Sequence, residues 1–210
     1  MAASRTELIN DLVAHEWNFF QQVNNRGGRA SCQDMPATFS VMRSSQFAIW
    51  TDEMLESYFD DLRVAFNEGR NPLSEKYGYM MESTHPAEYA EIADKLPAVS
   101  AHKAELVEAI VAIQLEWAEE MAAKYPAFMG HGRPLHTSDD GVMGGTSVET
   151  YSRGELKTYS ERTLELMLAH FSAARDEGRN LQEESDTVQV KGLGYESLDA
   201  AEAKALALGR

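Results

Sequence analysis

The spacing of apolar residues predicts helices along nearly the whole chain. In "SRTELINDLVAHEWNFFQQV" (residues 4–23), Leu8, Ile9, Leu12, Val13, Phe19, Phe20 and Val23 fall close to one helical stripe. Ser4 and Glu7 stand at capping-box spacing just ahead of it. "TDEMLESYFDDLRVAFNEG" (51–69) offers Thr51 as N-cap. Met54, Leu55, Tyr58, Phe59, Leu62 and Phe66 follow on one face, and Gly69 supplies the stop. Further helices are predicted over 100–125, 160–178 and 197–209. Strand signals are weak, and only "TVQV" near residue 187 alternates.

Two stretches look alike. "NEGRN" at 67–71 returns as "DEGRN" at 176–180, an offset of 109, and each copy closes a helix of matching pattern. Upstream, Glu16-Trp17 matches Glu116-Trp117 at offset 100, and Gly28-Arg29 matches Gly132-Arg133 at offset 104. Offsets that rise in chain order are what loop lengthening in a second copy would give. The expected fold is therefore all-α: one helical domain over 1–210, built from two related helical halves, about 7–99 and about 101–210. Within "EGRN", Gly69 and Gly178 suit the left-handed end of a helix, and Asn71 and Asn180 suit the N-cap of the next, with Pro72 or Glu183 in support. Capping leaves Arg70 and Arg179 unexplained. They would bond helix carbonyls or acidic side chains.

Composition changes this picture little, whereas charge changes it more. A hydrophobic fraction of 43% suits a folded core. The net charge of −15 opposes nucleic acid and anionic lipid, so neither is expected as a partner. No apolar run approaches a membrane span, and "MAASRTELIND" lacks the apolar core of a signal peptide; a cytoplasmic location is expected. The single cysteine cannot form an internal disulfide.

That cysteine lies in "NNRGGRASCQD" (24–34). With Ser31 as N-cap, Cys32 would sit in the first turn of a helix, where the dipole and Arg29 would favour thiolate. A packed thiol is the competing reading, because free cysteines are often buried and no histidine is nominated by spacing as a base.

Several motifs taken together ("EW", "VNNRGGRASCQ", "MRSSQFAIW", "EKY", "SRGELKTYS" and "EGRN") resemble a bacterial family known only as a domain of unknown function. The resemblance runs over nearly the whole chain. It implies a helical, cytoplasmic bacterial protein and transfers no catalytic residue.

Candidate chemistry gathers around arginines. Arg43 and Gln46 share a helix face in "TFSVMRSSQFAIW", with Trp50 a turn beyond, and Arg153 and Tyr159 fall in the matching segment. Across a cleft between the halves, Arg29 and Arg43 would face Arg133 and Arg153, with Trp17 and Trp117 as walls. Guanidinium forks recognise carboxylate and phosphate. The competing reading pairs each arginine with an internal carboxylate. "HGRPLHTSDD" holds His131, His136, Asp139 and Asp140, at a spacing that matches no defensible metal site. "GVMGGTSVET" lacks a phosphate-loop lysine and reads as a loop or lid.

The expectation is an enzyme acting on a small anionic metabolite bound between the halves, with no cofactor and no metal. Arg29, Gln33, Arg43, Gln46, Arg133 and Arg153 would bind substrate, and Cys32 would be the nucleophile or acid/base. The alternative is a non-catalytic ligand- or protein-binding helical module.

Overall fold

The computed structural model describes residues 4–24, 28–141 and 145–209. Among them are eleven α-helices and no strand: α1 (Arg5–Gln21), α2 (Pro36–Ala48), α3 (Asp52–Asn67), α4 (Pro72–Thr84), α5 (Pro86–Ala90), α6 (Ala101–Lys124), α7 (Pro126–Met129), α8 (Val148–Leu156), α9 (Glu161–Asp176), α10 (Leu181–Gly192) and α11 (Leu198–Ala207). The "TVQV" segment lies inside α10. Its neighbours Leu181, Ser185 and Val190 point inward at helical spacing, and that longer period overrides a four-residue alternation.

Helix ends follow the local chemistry of the sequence. The Ser4 hydroxyl accepts from the Glu7 N–H, and the Glu7 carboxylate accepts from the Ser4 N–H at 2.7 Å. After α3, Gly69 (φ 68°) turns the chain out. The Gly69 N–H then donates to Phe66 and the Arg70 N–H to Ala65. After α9, Gly178 (φ 70°), Arg179, Arg175 and Ala174 make the same two bonds. This double closure of the last turn needs a left-handed residue, which glycine supplies without a Cβ clash. Asn71 and Asn180 cap the helices that follow. Arg70 bonds Glu68 and Glu75, and Arg179 bonds Glu177 and Glu184, so both arginines serve acidic side chains beside the corner.

α1 packs on α2, α3 and α4, while α6 packs on α8, α9 and α10. Between these groups α3 meets α9, α4 lies along α8, and α2 lies along α10. The α4–α8 approach is close. A Cβ placed on Gly154 would fall 2.6 Å from Met80 Cγ and 2.9 Å from the Lys76 carbonyl oxygen. One apolar core runs through these eight helices, including Leu12, Phe47, Leu55, Ile110, Leu164 and Leu181. A second, smaller one joins Met121, Tyr125, Val190, Leu198 and Ala201, and so docks α11 against α6 and α10. Among the described residues no helix is long and apolar enough to cross a membrane.

Candidate functional site

Where α1, α2, α4 and α8 converge, the core carries charge. Glu16 sits on the buried stripe of α1, between Leu12, Val13 and Phe19, Phe20. Arg43 reaches it from α2: Nε and Nη2 each donate to one Glu16 carboxylate oxygen at 2.5 Å. Arg43 Nη1 donates to Gln46 Oε1 and, at 2.9 Å, to Glu155 on α8. Lys76 of α4 donates to the other Glu155 oxygen at 3.2 Å and to the Tyr151 hydroxyl at 2.7 Å. Tyr58 donates to Glu16 at 2.7 Å and Tyr159 donates to Glu155 at 2.8 Å. Two carboxylates thus face two cations, all at most 16% exposed, and each carboxylate accepts one further hydrogen bond from a tyrosine.

The electrostatics follow from that packing. Burial works against charge on Arg43, but the carboxylates of Glu155 and Glu16 outweigh it, and the guanidinium is held well above its ordinary value. Burial likewise opposes the Lys76 charge, and Glu155 reverses the balance and raises it. On Glu155, burial is overcome by Arg43 and Lys76, which hold the carboxyl well below the usual carboxylate range. Burial and a facing carboxylate push the Tyr58 and Tyr159 phenols up. Arg43, Lys76, Glu155, Tyr58 and Tyr159 are thus each pushed away from a change of protonation near neutral pH, and none of these five is poised for proton transfer there.

Two cavities open on either side of this cluster. The first, about 190 Å³, is lined by Glu16, Phe39, Arg43, Lys76, Tyr77, Tyr151 and Glu155, with Cys32 on its wall. The second, about 330 Å³, lies between α2, α6, α8, α9 and α10, and Gln46, Trp50, Gln114, Trp117, Ser152 and Asp186 contribute to it. Met42, Arg133, Tyr151 and Glu155 line both, so the two form one groove. Arg133 is exposed, stacks its guanidinium 4.5 Å from the Tyr151 ring centre, and donates to the Thr146 carbonyl.

The residues predicted from sequence divide accordingly. Cys32, Arg43, Gln46 and Arg133 come together along the groove. Arg29 does not join Arg43; it turns onto Gln21, Asp34 and the Gln33 carbonyl. Gln33 is buried as a chain fastener, accepting from the Ala30 N–H and donating to the Phe20 and Val23 carbonyls. Arg153 pairs with Glu108 of α6 and Glu149 of α8 and lines neither cavity. Trp17 packs at a tilt against Phe20 and Phe39 and does not itself line the groove, whereas Trp117 lines the second cavity. Cys32 is exposed within a single 3₁₀ turn, Ser31–Asp34, not in the first turn of an α-helix, so the expected dipole has no helix behind it. Gly27 and part of "GVMGGTSVET" lie outside the described residues.

Glu16, Tyr58, Lys76, Tyr151 and Glu155 were not among the site residues expected from the sequence. The usable signal was a charged residue inside an apolar stripe, as with Glu16 on α1 and Lys76 between Leu73 and Tyr79 on α4. Near the histidines, His136 pairs with Glu119, and Asp140 accepts from the Ser147 N–H and the Thr150 hydroxyl. Among the described residues no group of three or more His, Cys, Asp or Glu side chains is disposed to hold a metal ion.

Fold and groove together define an all-helical domain with a polar groove beside a buried four-charge cluster. The chain belongs to the family described as "Protein of unknown function (DUF4125)", whose model matches residues 6–203. No curated protein and no solved structure matches the chain.

Proposed function

We propose that this protein is a helical small-molecule-binding module, and that an anionic group of its ligand is held by Arg133 in the groove. One observation carries this reading. Of the cations lining the groove, Arg43 and Lys76 are neutralised by Glu16 and Glu155, whereas Arg133 has no ion-pair partner among the described residues. A guanidinium stacked on an aromatic ring, with N–H groups still free, is a ready carboxylate or phosphate receptor.

We further propose that the groove lies between two copies of a duplicated helical unit, α1–α4 and α6 with α8–α10. The crossed packing supports it: α1 relates to α2, α3 and α4 as α6 relates to α8, α9 and α10, while α4 on α8 and α2 on α10 are counterparts. Side chains support it as well. Asn71 Nδ2 donates to the Phe19 carbonyl and Asn180 Nδ2 to the Trp117 carbonyl. This aligns α1 with α6 at offset 98, not the 100 of the Glu-Trp match. At 98 the buried Leu12, Val13, Phe19, Phe20 and Val23 fall on buried Ile110, Val111, Trp117, Ala118 and Met121.

Thermal stability in a panel of small anions (sulfate, phosphate, dicarboxylates) tests the binding reading. Concentration-dependent stabilisation of the wild type that Arg133→Ala loses is expected. Equal responses in both proteins would remove Arg133 from the site. Catalysis on the same anionic molecule is the second reading, favoured by the exposed Cys32 on the cavity wall. It requires turnover that Cys32→Ser abolishes while anion stabilisation survives.

A further inference from the structure

The two cavities are counterparts of each other. Counting 109 positions on from the first cavity, Met42 falls on Tyr151, Arg43 on Ser152, Lys76 on Ser185 and Tyr77 on Asp186. Glu16 falls on Gln114 at the offset of 98. Each of these positions lines the second cavity. The first cavity's charged filling, Glu16 with Arg43 and Lys76, is thus replaced by Gln114 with Ser152 and Ser185. The serines are far shorter than an arginine or a lysine, and the second cavity is the larger, about 330 against about 190 Å³.

What remains in the second cavity is unfilled acceptor capacity. Gln114 Oε1 is buried and has no hydrogen-bond partner, the lone such side-chain atom among the described residues. A buried acceptor left unpaired costs about 1–3 kcal/mol, so it is the kind of atom a ligand donor satisfies. Asp186 lines the same space and has no cationic partner among the described residues; its carboxyl is hydrogen-bonded by the Gln182 side chain. Burial pushes its carboxyl up to about 6, which reflects the same lack of a compensating charge. Trp50, Trp117, Tyr159 and Phe171 supply a flat, apolar surround. At the mouth stands Arg133, so positive potential lies outside and acceptors lie within.

We propose that the second cavity binds a small organic cation, an amine or amidinium on a flat or apolar body. Its N–H groups satisfy Gln114 Oε1 and its charge lies against Asp186, where the counterpart of the Arg43 side chain would have been. This deepens the reading of the groove as a ligand site, yet it stands on other residues than Arg133, and the two can fail separately.

The test is calorimetric binding of benzamidine and phenylguanidine, with benzamide and benzyl alcohol as uncharged matches, to the wild type, Asp186→Asn, Gln114→Leu and Arg133→Ala. The cations are expected to bind and the neutral compounds to bind at least about tenfold more weakly, since a charge-assisted bond contributes more than tenfold. Asp186→Asn should erase that preference, and Gln114→Leu should weaken the cations. A double variant, Gln114→Glu with Ser152→Arg, rebuilds the pair of the first cavity. It should stay folded by circular dichroism and bind no cation. Equal affinity for benzamidine and benzamide, or a preference that survives Asp186→Asn, overturns the proposal. Cation binding that is unchanged in Arg133→Ala, together with a wild type that shows no anion response, would uphold this site and remove the anion reading. The reverse pattern would do the opposite.

Discussion

Arg43 and Glu16 form a two-point pair inside the protein, with Nε and Nη2 each 2.5 Å from its own carboxylate oxygen. The side chains are 12% and 2% exposed, so neither charge has water to fall back on. Removing one partner strands the other in an apolar setting. Glu16→Ala or Arg43→Ala should therefore cost about 3–5 kcal/mol, whereas replacing both by apolar residues of similar volume should cost far less. Urea unfolding of Glu16→Met, Arg43→Met and the double variant checks this. A double variant as unstable as the sum of the singles would mean that the two residues do not act as a pair.

Two buried carboxyls make opposed contributions to the pH dependence of stability. Glu155 is held below its unfolded value of about 4.5, so its stabilisation is present above that pH and drains away as pH falls below it. Asp186 has the other sign. Its carboxyl is raised from 3.8 to about 6, so the folded state holds the proton more tightly and stability falls as pH rises across that window. Asp186→Asn should flatten the profile between pH 4 and 6 and gain roughly 1–3 kcal/mol at pH 7. Urea midpoints from pH 4 to 8 for both proteins would reveal it. An unchanged slope would place Asp186 in water.

Gly154→Ala should loosen the α4–α8 contact. The added methyl meets Met80, which can swing aside, and the Lys76 carbonyl oxygen, which cannot. The expected loss is about 1–3 kcal/mol, read as a lower Tm, and Met80→Ala in the same chain should not restore it.

The cap asparagines do more than cap. Asn71 accepts from the Leu73 and Ser74 N–H groups and donates to Phe19, and Asn180 accepts from the Glu183 N–H and donates to Trp117. Either Asn→Ala change should cost roughly 1–2 kcal/mol. Asn→Asp keeps the acceptor but sets a carboxylate against a carbonyl, and should recover little of that loss. Full recovery in Asn71→Asp would show that capping alone matters.

The helices and corners were legible in the sequence because they rest on local rules: the stripes of α1, α3, α6 and α9, and the Gly-Arg-Asn corners. Arg43 and Gln46, three residues apart, meet as their spacing on α2 implied. The partners of Arg43 were hidden because Glu16 and Glu155 come from other helices, and helical period says which face is buried but not what it meets. Arg29 was misdirected for a similar reason. The buried Gln33 draws the loop back onto the end of α1, and Arg29 follows its carbonyl. Under the proposed duplication the Glu-Trp match misleads by two residues. Trp117 occupies the place of Phe19, and Glu116 is an exposed residue with no tie to the role of Glu16.

The crossing of α4 onto α8 and of α2 onto α10 has a consequence for how the chain comes to be folded. The partner of α4 is made nearly eighty residues after it, as Lys76 and Glu155 mark. An emerging chain must therefore hold the apolar side of its first half uncovered until the second is synthesised, so folding is expected to be slow and late for an all-helical protein. A chain cut between Leu96 and Ser100 should give two pieces that are each unstructured alone and regain helical signal when mixed. At high concentration, whole chains would be able to trade halves into dimers.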